Sequence, residues 1–295
     1  MSSSHLKAWE SFIDGIRRYF KSNGFTEVFT NHLNVKEIPN KHIKPFRVDS
    51  NLSKQNYFLH TSPELEMKKL LANGSGNIFQ ICKVFRDDEI GPWHKPEFNL
   101  LEWYQVDITI NDFIKSVTDF MINISGNRIT QIQEIDFNDI FNSKIGEDYP
   151  SSVSNLIGHL SHKNDGMEFD HLNLDELIDL FLIQEIEEHS NVCDLLIIKG
   201  FPSDLGSMAS LDKDDPGTST RFEIILNGSE IANGYEECTD PEVLMGRLDM
   251  HLGSNTYKSF SLKEIEKITK DLPSCCGVAI GLDRFFAKLT DKNFI

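Results

Sequence analysis

Apolar residues recur at helical spacing from the start of the chain. Trp9, Phe12, Ile13, Ile16, Tyr19 and Phe20 form one stripe between His5 and Asn23, and Gly24 supplies a stop. A strand FTEVFT is predicted next, then a long excursion from Asn31 to Gln55 with little regular structure, broken by Pro39 and Pro45. Thr61 to Leu71 (TSPELEMKKLL) opens a helix with Pro63 in its first turn. Glu64 stands three residues after Thr61, which suits a capping box as well as a site. Asn77 to Phe85 is rich in β-formers and Phe98 to Tyr104 alternates, so two strands joined by a long loop are expected. Period two puts Phe98, Leu100, Glu102 and Tyr104 on one face of the second strand, and Asn99, Leu101 and Trp103 on the other.

Beyond that pair, Asn111 or Asp112 is expected to cap a helix with the stripe Phe113, Ile114, Val117, Phe120, Met121 and Ile124. Asn127 to Asn173 is less periodic and reads as a variable insertion, with a short helix near Val153 to Leu160. A helix over Leu174 to Glu188 and a buried strand over Asp194 to Phe201 follow, then a polar loop to Thr220. Arg221 to Leu226 and Ser229 to Tyr235 flank Asn227-Gly228, a strong two-residue hairpin signal. That turn sets Glu223 opposite Ala232 and Glu230 opposite Ile225, with the two glutamates diagonal neighbours at roughly 7–8 Å, near enough to share a cation. Thr239 to Glu242 and Ser261 to Glu264 look like capping boxes of two further helices. In Cys276 to Leu282 the small residues Gly277, Ala279 and Gly281 alternate with apolar ones. They leave one nearly bare face for a flat ligand, beside Arg284.

Charge narrows the possible partners. With 29 Lys+Arg against 46 Asp+Glu the net charge is −17, which argues against a broad nucleic-acid footprint but leaves room for a local basic site. The 5 cysteines are odd in number and lack CxxC spacing, so they read as reduced thiols of a cytoplasmic protein. No stretch approaches the roughly 18 apolar residues of a membrane span.

The loop FRDDEIGPWHKPEF, the later GVAIGLDR, and RFE with SEIANGYEE between them resemble motifs 2 and 3 of class II aminoacyl-tRNA synthetases, in the lysyl branch. TSPE, LLEWY, ANGYEE and PSCCGVAIGLDR are similar to the elongation factor P lysine ligases within that branch, as is Ala279, where the tRNA-charging enzymes usually have glycine. The resemblance implies an α+β fold, a mainly antiparallel sheet flanked by helices. It further implies one catalytic domain over residues 1–295 without an anticodon-binding domain. The implied reaction is ATP- and Mg²⁺-dependent activation of (R)-β-lysine or lysine, with transfer to a lysine of elongation factor P, no tRNA and no membrane. A homodimer is a family expectation; Asn31 replaces the usual motif 1 proline that supports it.

Residue by residue, the resemblance gives Arg86 to the α-phosphate and the substrate carboxylate, as the catalytic cation. His94 and Arg284 fall to the outer phosphates, and Phe98 to adenine with Gly277 and Gly281 beneath. Asp88, where the family more often has glutamate, falls near the nucleotide. Glu223 and Glu230 are given to Mg²⁺, Glu237 and Tyr104 to a side-chain ammonium, Glu64 and Glu102 to the second amine, and Asn233 to the carboxylate end, with Ala279 on the pocket floor. Plain alternation sets Asn233 and Glu237 on the face opposite Glu230, so a bulge at Asn233-Gly234 is required. Two other readings remain open at this stage: a truncated lysyl-tRNA synthetase, and a non-catalytic lysine-binding module.

Overall fold

The computed structural model describes residues 3–35, 43–52, 55–87, 95–149, 153–164, 168–169, 171–172, 174–189, 193–206, 208–252 and 262–290. The first amphipathic stripe folds as α1 (Ser3–Ser22), and the chain then lays down the short strand β1 (Thr26–Glu27). The excursion beyond it is more regular than its polar sequence suggests. It carries β2 (Leu33–Asn34) and β3 (Arg47–Asp49), which pair with β4 (Asn56–Leu59) just beyond it in a small sheet of order β2-β4-β3. Two- to four-residue strands are too short to show a period, so their pairing is invisible in the sequence.

Helix α2 (Glu64–Ala72) leads to β5 (Ile78–Phe85) and β6 (Glu97–Val106), which pair antiparallel from Ile78↔Tyr104 to Phe85↔Glu97, as their alternation predicts. The helix α3 (Ile110–Ile124) is capped not by Asn111 or Asp112 but by Thr109, whose hydroxyl oxygen accepts from the Asp112 amide at 3.2 Å. The region read as an insertion supplies a strand as well as helices: β7 (Ile132–Asp136), α4 (Phe137–Ile145) and α5 (Val153–Lys163), then α6 (Leu174–His189) and β8 (Leu195–Lys199). The hairpin at Asn227-Gly228 joins β9 (Arg221–Leu226) to β10 (Ser229–Glu236). Asn227 takes φ +46° and Gly228 +72°, the left-handed pair that such a turn needs. The chain closes with α7 (Pro241–Leu252), α8 (Leu262–Asp271), β11 (Cys275–Gly281) and α9 (Leu282–Thr290).

The large sheet has eight strands in the order β1-β5-β6-β11-β10-β9-β8-β7. Only its ends, β1 with β5 and β7 with β8, are parallel. One face is buried beneath α1, α3 and α9, where Phe20, Phe79, Trp103, Phe120 and Phe285 join a single apolar cluster. Phe20 stacks on Phe79 with ring centroids 4.7 Å apart. Among the described residues, helices cover the other face at its flanks. Met67 and Leu71 of α2 pack there with Tyr104, and α4, α5 and α6 pack on Leu196, Ile198 and Ile225. Between these flanks lie Glu102 and Tyr104 of β6, Gly277 and Ala279 of β11, Asn233 and Tyr235 of β10 and Glu223 of β9.

Candidate active site on the central strands

The open face is ordered in rows by strand register. Tyr104 lies opposite Gly277, which lies opposite Tyr235; Glu102 lies opposite Ala279, which lies opposite Asn233, which lies opposite Glu223. This differs from the register expected at the hairpin. Glu230 does face Ile225, but a bulge between Glu230 and Ala232 shifts the ladder by one, so Glu223 faces Asn233 rather than Ala232. The bulge falls before Asn233-Gly234, not at it, and it brings Asn233 onto the face of Glu223. Gly234 has no room for a side chain, since a Cβ there would lie 2.6 Å from the Phe222 ring and 2.8 Å from the Gly277 carbonyl oxygen.

At the inner end of the trough three acids surround one lysine. Lys68 Nζ lies 2.7 Å from Glu64 Oε1 and 2.6 Å from Glu237 Oε2, and the Tyr235 hydroxyl donates to Glu64. The Tyr104 hydroxyl donates to Glu102 Oε1 at 2.8 Å. Lys68, Glu102 and Glu237 are all buried, and among the described residues Glu237 Oε1 has no hydrogen-bond partner. Glu64 is therefore not a cap. Pro63 precedes α2 without a side-chain bond to it, and the Glu64 carboxylate pairs one turn along the helix instead.

Burial governs the charges here. It pushes Glu102 up to about 8, with the charge of Glu64 adding to the shift, and pushes Glu237 up to about 8 against the pull of Lys68. For Glu64 burial acts upward too, but the Lys68 charge and the hydrogen bonds from Lys68 and Tyr235 outweigh it and hold the carboxyl below its ordinary value. Lys68 is itself held above the ordinary lysine value, because Glu237 and Glu64 outweigh its desolvation. The ion pair is thus centred on Lys68 and Glu64, with protons retained on Glu102 and Glu237 at neutral pH. A second ammonium entering this end would meet acids able to ionise.

Towards the outer end, Arg86 lies with its guanidinium carbon 5.0 Å from the Phe98 ring centroid, and its Nε donates to the Thr61 carbonyl at 3.4 Å. Arg284, at the start of α9, donates from Nη1 to the Glu230 carbonyl at 3.3 Å. That helix is anchored by its neighbour: Asp283 accepts from the Asn99 backbone amide at 2.5 Å and from its side chain at 3.1 Å through both oxygens. Asp88 and His94 lie outside the described residues.

The flat face expected along β11 is narrower than its sequence suggests. A Cβ at Gly277 would sit 2.3 Å from the Tyr104 ring, so that glycine is a seat for tyrosine, whereas Gly281 has open space above it. Glu223 and Glu230 supply hard oxygen donors. Burial first, and Glu230's charge among the lesser causes, push Glu223 up to about 7 despite the Arg221 guanidinium bonded to it. Carboxylates that repel one another in this way fit a divalent hard cation.

Lys68 and Tyr235 are site residues that sequence reasoning missed. The i,i+4 spacing from Glu64 on α2, and the alternation Asn233, Tyr235, Glu237, were the available signals.

Across its whole length, residues 1–295, the chain matches the model of the class II tRNA synthetases (D, K and N). It belongs to that family. A protein of Buchnera aphidicola subsp. Acyrthosiphon pisum (strain APS) named elongation factor P–(R)-β-lysine ligase is 33% identical, over 97% of this chain and 91% of that protein. A homolog of that ligase from Aquifex aeolicus is 32% identical over 98% and 96%. The ligase so named in Haemophilus ducreyi is 30% identical over 95% and 88%. As class II synthetase-like proteins they place this chain among ATP-dependent, typically Mg²⁺-using enzymes. Among the described residues no helix is long and apolar enough to cross a membrane.

Proposed function

We propose that this protein activates (R)-β-lysine, or lysine, with ATP as the aminoacyl-adenylate and transfers it to a lysine side chain of elongation factor P. The observation that carries this reading is the acid set of half-buried Glu64 with buried Glu102 and Glu237 at one end of the open face, with Arg86 over Phe98 at the other. A substrate carrying two amines and a carboxylate needs acids at one end and a cation where its carboxylate meets phosphate. The names of relatives aligned over nearly their whole length support the same substrate class.

In the first step a substrate carboxylate oxygen bonds to the α-phosphorus of ATP, and the bond from that phosphorus to the bridging oxygen of pyrophosphate breaks. Arg86 holds the carboxylate and α-phosphate together and balances the charge that gathers between them. Arg284, with His94, holds the outer phosphates; Phe98 carries adenine, which Gly281 leaves room for. Asp88 lies near the nucleotide. Glu223 and Glu230 would hold Mg²⁺, which shields the polyphosphate charge when bound. Glu237 and Tyr104 take the side-chain ammonium, Glu64 and Glu102 the other amine, and Asn233 the carboxylate end. In the second step the acceptor lysine amine bonds to the acyl carbon and AMP leaves. We read residues 1–295 as one catalytic domain that works as a homodimer without tRNA, in keeping with the net charge of −17.

Incubation of the protein with ATP, Mg²⁺ and (R)-β-lysine, with elongation factor P in one arm and lysine tRNA in another, tests the reading. A mass gain of one lysyl group on the factor, lost in Arg86→Ala, is expected. Charging of tRNA alone would point to a lysyl-tRNA synthetase, and no pyrophosphate exchange in either arm to a binding module.

A further inference from the structure

Two histidines and a cysteine converge where the small sheet meets the large one. His32 precedes β2, His60 follows β4 and Cys82 lies in β5. The backbone holds them together: the His60 amide donates to the His32 carbonyl at 2.9 Å, and the Phe85 amide donates to the His60 carbonyl at 3.0 Å. The two imidazole centroids are 4.7 Å apart. One candidate ligand atom from each of the three residues lies within 4.8 Å of the other two.

The decisive detail is the orientation of His60. Its Nε2 lies 2.6 Å from the Lys83 carbonyl oxygen, and a carbonyl cannot donate, so Nε2 carries the proton and Nδ1 carries the lone pair. His60 is only 3% exposed, and among the described residues Nδ1 has no hydrogen-bond partner. A buried lone pair without a partner is costly, and an imidazole whose far nitrogen is pinned to a carbonyl is the arrangement seen in metal-bound histidines. Cys82, 8% exposed, stands beside it, while His32 is exposed and opens the cluster to solvent.

We propose that His32, His60 and Cys82 form a binding site for a borderline-to-soft transition-metal cation of the zinc class, separate from the acidic cation site at Glu223 and Glu230. Imidazole nitrogen and thiolate sulfur suit such a cation and not Mg²⁺. Tetrahedral coordination sets ligand atoms roughly 3.3–3.8 Å apart, from metal–nitrogen and metal–sulfur bonds of about 2.0–2.3 Å. The three ligand atoms, within 4.8 Å of one another, reach that spacing by closing about 1 Å. On binding, the Cys82 S–H bond breaks, its proton passes to solvent, and the thiolate pair forms the metal–sulfur bond. A bound ion would tie the small sheet to β5, and so steady His60, Thr61 and the entry to α2 that carries Glu64.

The full chain, stripped with a chelator, is titrated with Co²⁺ and then Zn²⁺ in the absence of ATP and amine, so the outcome is independent of the proposed ligase activity. One equivalent of Co²⁺ with a thiolate charge-transfer band, displaced by Zn²⁺ and insensitive to Mg²⁺, is expected. Cys82→Ser should abolish the band, and His60→Gln and His32→Gln should each weaken binding at least ~10-fold. His32→Gln alters an exposed side chain, and an unchanged circular dichroism spectrum in that variant separates lost ligation from lost folding. Zn²⁺ should also raise the thermal midpoint of the wild type but not of His32→Gln. A wild type without the band, a band that persists in Cys82→Ser through the other four thiols, or unchanged affinity in both histidine variants would each overturn the site.

Discussion

Lys68 Nζ lies 2.6 Å from Glu237 Oε2, and both side chains are almost wholly withdrawn from water. The same ammonium holds Glu64 at 2.7 Å, so a single lysine neutralises an acidic pocket from inside. Lys68→Met should therefore destabilise the protein by about 3–5 kcal/mol, because removing one partner leaves a buried charge uncompensated. The sign with pH follows from Glu64, whose carboxyl the folded state holds below its ordinary value. The stability it contributes is present above the ordinary carboxylate range and lost as pH falls through the folded value. The loss on mutation should then be larger at about pH 8 than at about pH 4. Urea unfolding of both proteins at the two pH values measures this; equal midpoints at pH 8 would refute the pairing.

Glu102 and Glu237 behave in the opposite sense. Burial raises both carboxyls to about 8, so folding favours their protonated forms. Their contribution is complete below the unfolded value of about 4.3 and is lost as pH rises towards the folded values. Glu102→Gln should flatten the decline in stability between about pH 5 and pH 8. An ammonium ligand reverses the preference, since it favours the ionised acids, and so its binding should release protons. Calorimetry of lysine binding in buffers of different ionisation enthalpy would detect the release near pH 7, and Glu102→Gln should reduce it. Binding heats that do not depend on the buffer would count against the assignment.

The helices and the central strands were legible because their signals are long. The stripe from Trp9 to Phe20 and the alternation from Phe98 to Tyr104 each repeat several times, and Asn227-Gly228 marks a turn by its own chemistry. Strand β7, IQEID, was not legible: an edge strand exposed on alternate residues carries little apolar pattern, and its partner β8 lies 63 residues on, Ile132 facing Leu195. The bulge before Ala232 was inferred from a conflict between two faces but placed late, since no glycine marks it. Lys68 was hidden for another reason. Its helical position reads as a solvent-facing lysine, and only the approach of β10 and its continuation to Glu237 buries it.

Gly277 supports Tyr104 by having no side chain. Its added Cβ would meet the Tyr104 ring at 2.3 Å, and that buried ring packs with Met67 and Leu71 of α2. Gly277→Ala should cost about 1–3 kcal/mol in stability through overpacking. It should also disturb the Tyr104–Glu102 hydrogen bond and with it amine binding, so that KM for lysine in pyrophosphate exchange rises more than KM for ATP. Gly281→Ala, where a Cβ meets nothing within 4 Å, is the matched control for stability. Equal destabilisation by the two substitutions would remove the tyrosine-seat explanation.

Ala279 is flanked by Glu102 on β6 and Asn233 on β10, so its methyl stands in the row between one proposed amine-binding acid and the residue assigned to the carboxylate end. That is where α- and β-amino acids differ, because moving the amine by one carbon changes its distance from the carboxylate and little else. A methyl here removes depth on the carboxylate side and favours the isomer whose amine lies one carbon further off. Ala279→Gly should therefore raise activation of α-lysine relative to (R)-β-lysine by about 10-fold, the scale on which one methyl group changes discrimination in a pocket. Pyrophosphate exchange with each isomer, compared as kcat/KM, gives the ratio directly. An unchanged ratio in a variant that retains full activity would leave the preference to be set by Glu64 and Glu102, whose spacing across the trough then becomes the quantity to alter.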